Sequence, residues 1–150
     1  MKNLVVDSNI VFSGILNTNS KIGQLLTKAP GTAVFYSCEF LQIEIRRHHS
    51  KLAKITKLSA EELDELESLV TQKIRFINEN LLDEDILEQA ESLVKDIDPD
   101  DAPFLALAIQ LNAKLWTGDK KLREGLRRKG FFHVLNTEEV QEWLVTVGEE

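Results

Sequence analysis

Four acidic residues of this sequence stand where an apolar segment meets a turn or a helix: Asp7, Glu44, Asp101 and Asp119. Carboxylates that follow different strands of one sheet would converge. At ~4 Å separation and an effective dielectric of about 20, two of them repel by roughly 4 kcal/mol. Such a cluster persists only if something neutralises it, usually Mg²⁺ or Mn²⁺, which prefer oxygen ligands. The chemistry that these residues predict is therefore the binding of a divalent cation.

Each acid taken singly also has an ordinary structural explanation. Asp98, Asp100 and Asp101 precede an apolar helical segment, where acidic side chains offset the helix dipole. Asp119 precedes a basic helical segment that it could cap. It is the joint pattern of four acids, and not any one of them, that favours a metal site.

Short apolar runs and helical periodicities alternate along the chain. Strands are predicted at residues 2–6, 33–36, 74–77, 115–117 and 133–135. Helical segments are predicted at residues 11–16, 22–26, 59–72, 84–96, 120–129 and 137–145, with one more after Ser37 and one beginning near Pro103. Ser37 is the expected N-cap of the helix that carries Glu44, and Ser59 with Glu62 forms a capping-box pattern.

Strands that alternate with helices predict an α/β fold: a parallel sheet with helices on both faces. The whole chain, residues 1–150, is expected to form one domain, since no linker or repeat interrupts it. Ligands of open α/β sheets bind outside the carboxyl ends of the strands, which is where Asp7 and Asp119 fall.

Composition limits the class of protein. The chain is 43% hydrophobic and 29% charged, which argues against disorder. No apolar run approaches the ~20 residues of a membrane span, and Asp7 interrupts the first one, so neither a membrane span nor a signal peptide is expected and the cytoplasm is the expected location. Cys38 is the single cysteine and cannot form an internal disulfide.

The net charge of −7 argues against a simple electrostatic nucleic-acid binder. The charge is nevertheless uneven, because two basic blocks directly follow Glu44 and Asp119. One spans residues 46–57 and the other residues 120–129. Either they are solvated helix faces, or they hold an anionic partner beside the acids. His48 and His49 lie in the first block, either as exposed members of it or as metal ligands.

Four stretches of the chain resemble, in order and spacing, the motifs of the PIN-domain family. They are Val5-Val6-Asp7-Ser8-Asn9, Ser37 to Ile45 around Glu44, Asp98-Pro99-Asp100-Asp101-Ala102-Pro103, and Leu115-Trp116-Thr117-Gly118-Asp119. The resemblance implies that Asp7, Glu44, Asp101 and Asp119 are the catalytic acids that hold Mg²⁺ or Mn²⁺. It also implies that Ser8, Asn9 and Thr117 support these carboxylates.

What this resemblance implies is metal-dependent hydrolysis of RNA, in which the cation reverses the local charge and activates water. The expected RNA contacts are Arg46, Arg47, Lys120, Lys121 and Arg123. Many small single-domain members of the family are toxins of bacterial toxin–antitoxin pairs, so an antitoxin protein is an expected partner. The leucines of the 59–72 helix are expected either to pack in the core or to form the contact of a homodimer.

Three further classes of protein stay open on the sequence alone. A haloacid-dehalogenase-like phosphatase also opens with a strand and an Asp, but it needs a second Asp where this chain has Asn9. The sequence is also compatible with a non-catalytic domain that binds RNA or protein, and with a housekeeping RNA-processing nuclease. The four acids could hold one cation or two.

Overall fold

The structure is a computed structural model that describes residues 1–146. Its strands are β1 (Lys2–Val6), β2 (Ala33–Cys38), β3 (Ile74–Ile77), β4 (Lys114–Trp116) and β5 (Val134–Leu135). Its α-helices are α1 (Ser8–Leu16), α2 (Lys21–Lys28), α3 (Phe40–Arg47), α4 (His49–Thr56), α5 (Ala60–Thr71), α6 (Glu84–Val94), α7 (Ala102–Gln110), α8 (Lys120–Arg128) and α9 (Thr137–Leu144). Two short 3₁₀ turns are formed by Glu79–Leu81 and Pro99–Asp101.

The five strands form one sheet in the order β3-β2-β1-β4-β5, and every pairing is parallel. The chain runs outward from β1 to β3 on one side and then returns to place β4 on the other side of β1. The strand order therefore reverses between β1 and β4. In open α/β sheets the crevice at such a reversal, at the carboxyl ends of the strands, is where ligands bind.

Helices cover both faces of the sheet, as predicted. Successive residues of a strand point to opposite faces. Leu4 and Val6 accordingly pack in an apolar layer with α1, α2, α5 and α9, whereas Val5 packs in the other layer with α6, α7 and α8. Trp116 is fully buried in the first layer, so β4 is fixed against β1 by the core itself.

Ser37 is not the N-cap of α3, and that prediction is wrong. Strand β2 continues through Cys38, and the Ser37 hydroxyl donates to the carbonyl of Val6 at 2.7 Å. The amide of Phe40, at the start of α3, finds its hydrogen-bond acceptor in a distant segment instead. It donates to Glu79 Oε1 at 2.6 Å. The burial of a strand end next to β1 outweighs the local capping preference of serine.

The predicted Ser59–Glu62 capping box is present in both directions. Helix α8 is followed by Gly130 at φ +87°, a left-handed conformation that favours glycine. Leu63 and Val70 of α5 are buried in the core, while Leu69 is exposed. A homodimer contact through α5 stays a prediction. Among the described helices, none combines the length and the apolar character that crossing a bilayer requires.

Candidate active site

Asp7 lies at the carboxyl end of β1 and begins α1. Its Oδ1 accepts a hydrogen bond from the amide of Ile10 at 3.0 Å, so the carboxylate is also the N-cap of α1. The residue is only 4% exposed. Burial, reinforced by the charge of Asp119, raises the pKa of Asp7 to about 6, against the hydrogen bond that Thr117 donates to it. The fold thus holds a carboxylate in a position where its charged form is disfavoured.

Asp119 occupies the corresponding position after β4. Its Oδ1 accepts from the amide of Leu122 at 3.2 Å and caps α8. Its own amide donates to the hydroxyl of Thr117 at 3.1 Å. Because Thr117 is fully buried and also hydrogen-bonds to Asp7, this one hydroxyl connects the two acids across neighbouring strands. These contacts place Thr117 beside both acids, and its supporting role stays a prediction.

Asp101 completes a group of three. It ends the 3₁₀ turn that leads into α7, and its side chain makes no capping bond to that helix. Burial raises the pKa of Asp101 to about 7, and the charges of Asp98, Asp7, Asp119 and Asp100 act in the same direction. The structure therefore brings Asp7, Asp101 and Asp119 close enough for their charges to act on one another.

Glu44 approaches this group from α3 by a different route. Burial raises the pKa of Glu44 above its usual range, while His48 and Arg47 lower it and Asp100 raises it. The acid that acts on Glu44 is thus Asp100, the neighbour of Asp101. The sequence reasoning did not select Asp100, although its place in the acidic run 98–101 was the signal that could have found it.

Ser8 and Asn9 occupy the first turn of α1, directly after Asp7. The Asn9 amide donates to the Asp7 carboxylate, which lowers the pKa of that acid. Both residues line one groove together with Glu44. Their position beside the acids agrees with the predicted supporting role, which stays a prediction.

The basic residues predicted to contact RNA are not equivalent in the structure. Lys120 and Lys121 are exposed at the start of α8, and Lys120 Nζ lies 3.8 Å from Glu124 Oε1. Arg123 is half-buried, and its Nη1 donates to the carbonyl of Thr117 at 3.0 Å. One nitrogen of its guanidinium is therefore bound to the residue that follows β4. The charge of Arg47 lowers the pKa of Glu44 and so favours the carboxylate form.

Arg46 faces another part of the molecule. Its Nη1 lies 3.2 Å from Asp64 Oδ1, in a pocket between α3 and α5 that Glu44 does not line. A helix turns by about 100° per residue, so residues two apart lie on nearly opposite faces. Arg46 was predicted to contact RNA beside the acids, but its side chain lies on a different face of α3 from Glu44.

A second group of possible metal ligands lies in this other region. Ligand atoms of His49, Asp64 and Glu67 are all within 4.8 Å of one another. His49 Nδ1 is 2.8 Å from Glu67 Oε1, and His49 Nε2 is 3.6 Å from Asp64 Oδ1. His48 is exposed, as in the first of the two alternatives, whereas His49 is half-buried and paired with two acids. On geometry this group could hold a metal ion, in addition to linking α4 to α5.

The fold and the acids define a class: a parallel α/β protein with aspartates gathered at the point where its strand order reverses. A family model for the PIN domain matches residues 5–144. The chain therefore belongs to the PIN-domain family, whose members are generally metal-dependent nucleases. No curated protein matches the chain.

Proposed function

We propose that this protein is a Mg²⁺- or Mn²⁺-dependent ribonuclease that hydrolyses RNA phosphodiesters at Asp7, Glu44, Asp101 and Asp119. The observation that carries the proposal is the electrostatic state of Asp101. Burial raises the pKa of Asp101 to about 7, and the charged neighbours that add to this effect are all aspartates. Because these aspartates repel one another, a cation from solution that binds among them would be stabilised.

The residues present fit a hard divalent cation. Their donor atoms are carboxylate oxygens, and the nearby hydroxyl of Thr117 adds another oxygen. Asp119 caps α8 with Oδ1, which leaves Oδ2 outside the capping bond. A bound Mg²⁺ or Mn²⁺ would supply neutralisation of the phosphate charge and a lowered pKa for water.

The chain's own residues supply the positioning. Capping bonds from Ile10 and Leu122 hold the Asp7 and Asp119 carboxylates at the first turns of α1 and α8. Lys120 and Lys121 are exposed in the turn that follows Asp119, where they can contact phosphates of a bound strand. Phosphate contacts of this kind would orient RNA at the acids without reading its sequence.

A ribonuclease assay tests this function. Purified protein with Mn²⁺ should cleave single-stranded RNA. The ends should be 5′-phosphate and 3′-hydroxyl, because the proposed nucleophile is water. The single cysteine, Cys38, is buried and therefore not available as a nucleophile. Asp7→Asn and Asp101→Asn should each reduce the rate by orders of magnitude. Asp85→Asn, at an exposed acid of α6, is the matched control and should cleave normally. Cleavage that persists in EDTA would exclude the metal-dependent mechanism.

The biological role that we propose is that of a toxin held in check by an antitoxin protein. The family membership supports this role. An inhibitor could place an arginine fork among the carboxylates, where it would compete with the cation. Expression of the protein alone should slow growth, and Asp7→Asn should restore it. Normal growth with soluble, active wild-type protein would favour a housekeeping nuclease.

A further inference from the structure

A groove of about 350 Å³ opens beside Glu44, between α1 on one side and α3 with α4 on the other. The first wall presents Ser8, Phe12 and Leu16, which are spaced by four residues and therefore share one helix face. The second wall presents Glu44, His48, Lys51, Leu52 and Ile55. The groove thus begins at residues of the acidic site and continues away from it.

The middle of the groove is aromatic and basic. The rings of Phe12 and His48 meet edge to face, with centroids 5.7 Å apart and an interplanar angle of 82°. Phe12 is half-buried, whereas His48 and Lys51 are exposed. These side chains leave ring and cationic groups open to a ligand, one turn away from Ser8 and Glu44.

The far end of the groove is apolar. Leu16 is 46% exposed and Ile55 is 55% exposed, although other apolar residues of α1 and α4 are buried in the core. The eight residue-to-residue rises of helix from Ser8 to Leu16 extend about 12 Å. The groove is therefore a surface with one acidic end, a basic and aromatic middle and an apolar end, long enough for more than one base.

We propose that this groove seats the unpaired nucleobase next to the phosphate that is cut, with Phe12 and His48 as the surface on which the base packs and Lys51 as a phosphate contact. The inference rests on the proposed function and deepens it. Recognition of RNA by proteins depends on splayed bases that stack on aromatic side chains, with cations along the backbone.

Two observations favour this occupant. The groove is continuous with the acidic site, because Ser8, Asn9 and Glu44 line it. An RNA strand bound at the acids would therefore lie next to the opening of the groove. The groove also carries Lys51 and His48 on the wall next to Glu44, and the ammonium group of Lys51 complements a phosphate. Neither basic residue is required by the core, since both are exposed.

The proposal makes the two sides of the cut bond unequal. On one side, removal of the base should reduce cleavage, because the strand then loses its packing against Phe12. On the other side, removal should have little effect. Base stacking on an aromatic side chain corresponds to roughly a 5- to 150-fold change in binding.

The test uses a labelled RNA with a single cleavable phosphodiester, compared with two strands that lack the base on one side or the other. Wild type should lose at least about 5-fold in kcat/KM with one abasic strand only. Phe12→Leu keeps an apolar side chain in the core but removes the ring. It should lower kcat/KM on normal RNA and make the enzyme indifferent to the missing base.

Leu81→Ser, at an exposed leucine outside the groove, is the matched control and should behave as wild type. Equal cleavage of all three strands by active wild type, with normal activity of Phe12→Leu, would overturn the proposal and assign the groove to a partner protein. If wild type cleaves no RNA, the proposed function fails. Fluorescence anisotropy with the same strands in Ca²⁺ then measures RNA binding alone. Equal affinities of wild type and Phe12→Leu would show that no base packs in the groove.

Discussion

Asp7 and Asp119 each fix a helix and belong to the acidic group at the same time. Their capping bonds come from the amides of Ile10 and Leu122. The structural and the metal-site interpretations of these acids, which compete when a single residue is considered, are therefore compatible. For Asp7, the bond that orients the carboxylate also stabilises its charged form, which partly offsets burial.

Asp7→Asn should make the protein more stable at neutral pH in EDTA. Burial raises the folded-state pKa of Asp7 from 3.8 to about 6, so the folded protein binds the proton more tightly than the unfolded chain. Stability from this residue is then present below about pH 4 and is lost as the pH rises through about 6. The loss is roughly 2–3 kcal/mol. Asparagine retains the N-cap without the charge.

Urea unfolding at pH 5 and pH 7.5 measures this effect. Wild type should be less stable at the higher pH, and Asp7→Asn should reduce the difference. Asp85→Asn, the exposed control in α6, should keep the wild-type pH dependence. A variant Asp7→Asn that is less stable than wild type at pH 7.5 in EDTA would contradict the burial argument.

At the scale of elements, the sequence predicted what depends on local pattern and missed what depends on distant contacts. Strand β1 and the capping box of α5 were found because their signals lie within a few residues. The partners of Ser37 and Phe40 are 31 and 39 residues away, so no local pattern could have shown them. The acidic run 98–101 marks Asp100 as a candidate, but its effect on Glu44 depends on how two distant segments pack.

Glu79→Ala should weaken α3 and thereby the site. Its Oε1 accepts from the Phe40 amide, so the variant removes a capping interaction whose loss costs about 1 kcal/mol. Because α3 carries Glu44, we expect cleavage to fall as well, through a less ordered carboxylate. Glu88→Ala, at an exposed position of α6, controls for the change of charge. Unchanged unfolding and unchanged cleavage in Glu79→Ala would show that α3 is held by its core contacts alone.

For the whole molecule, the net charge of −7 opposes RNA, so binding must come from local basic surface. The double variant Lys120→Gln/Lys121→Gln should bind RNA more weakly and show a flatter salt dependence. Each lost phosphate contact with a single strand removes about 0.7 from the slope of log affinity against log salt. Lys21→Gln/Lys28→Gln makes the same change of charge on exposed positions of α2. An equal effect of both pairs would indicate net charge, not a contact at α8.

Cation binding should stabilise the whole fold, since the acids come from segments far apart in the sequence: the ends of β1 and β4, α3 and the start of α7. A ligand at 100 times its Kd adds about 2.7 kcal/mol to the free energy of unfolding. Thermal unfolding with Mn²⁺ should therefore show a higher Tm for wild type and a much smaller gain for Asp101→Asn. Glu67→Gln, which alters the His49 group, should gain as much as wild type. If Glu67→Gln loses the gain and Asp101→Asn keeps it, the cation binds between α4 and α5, and the four acids are not its site.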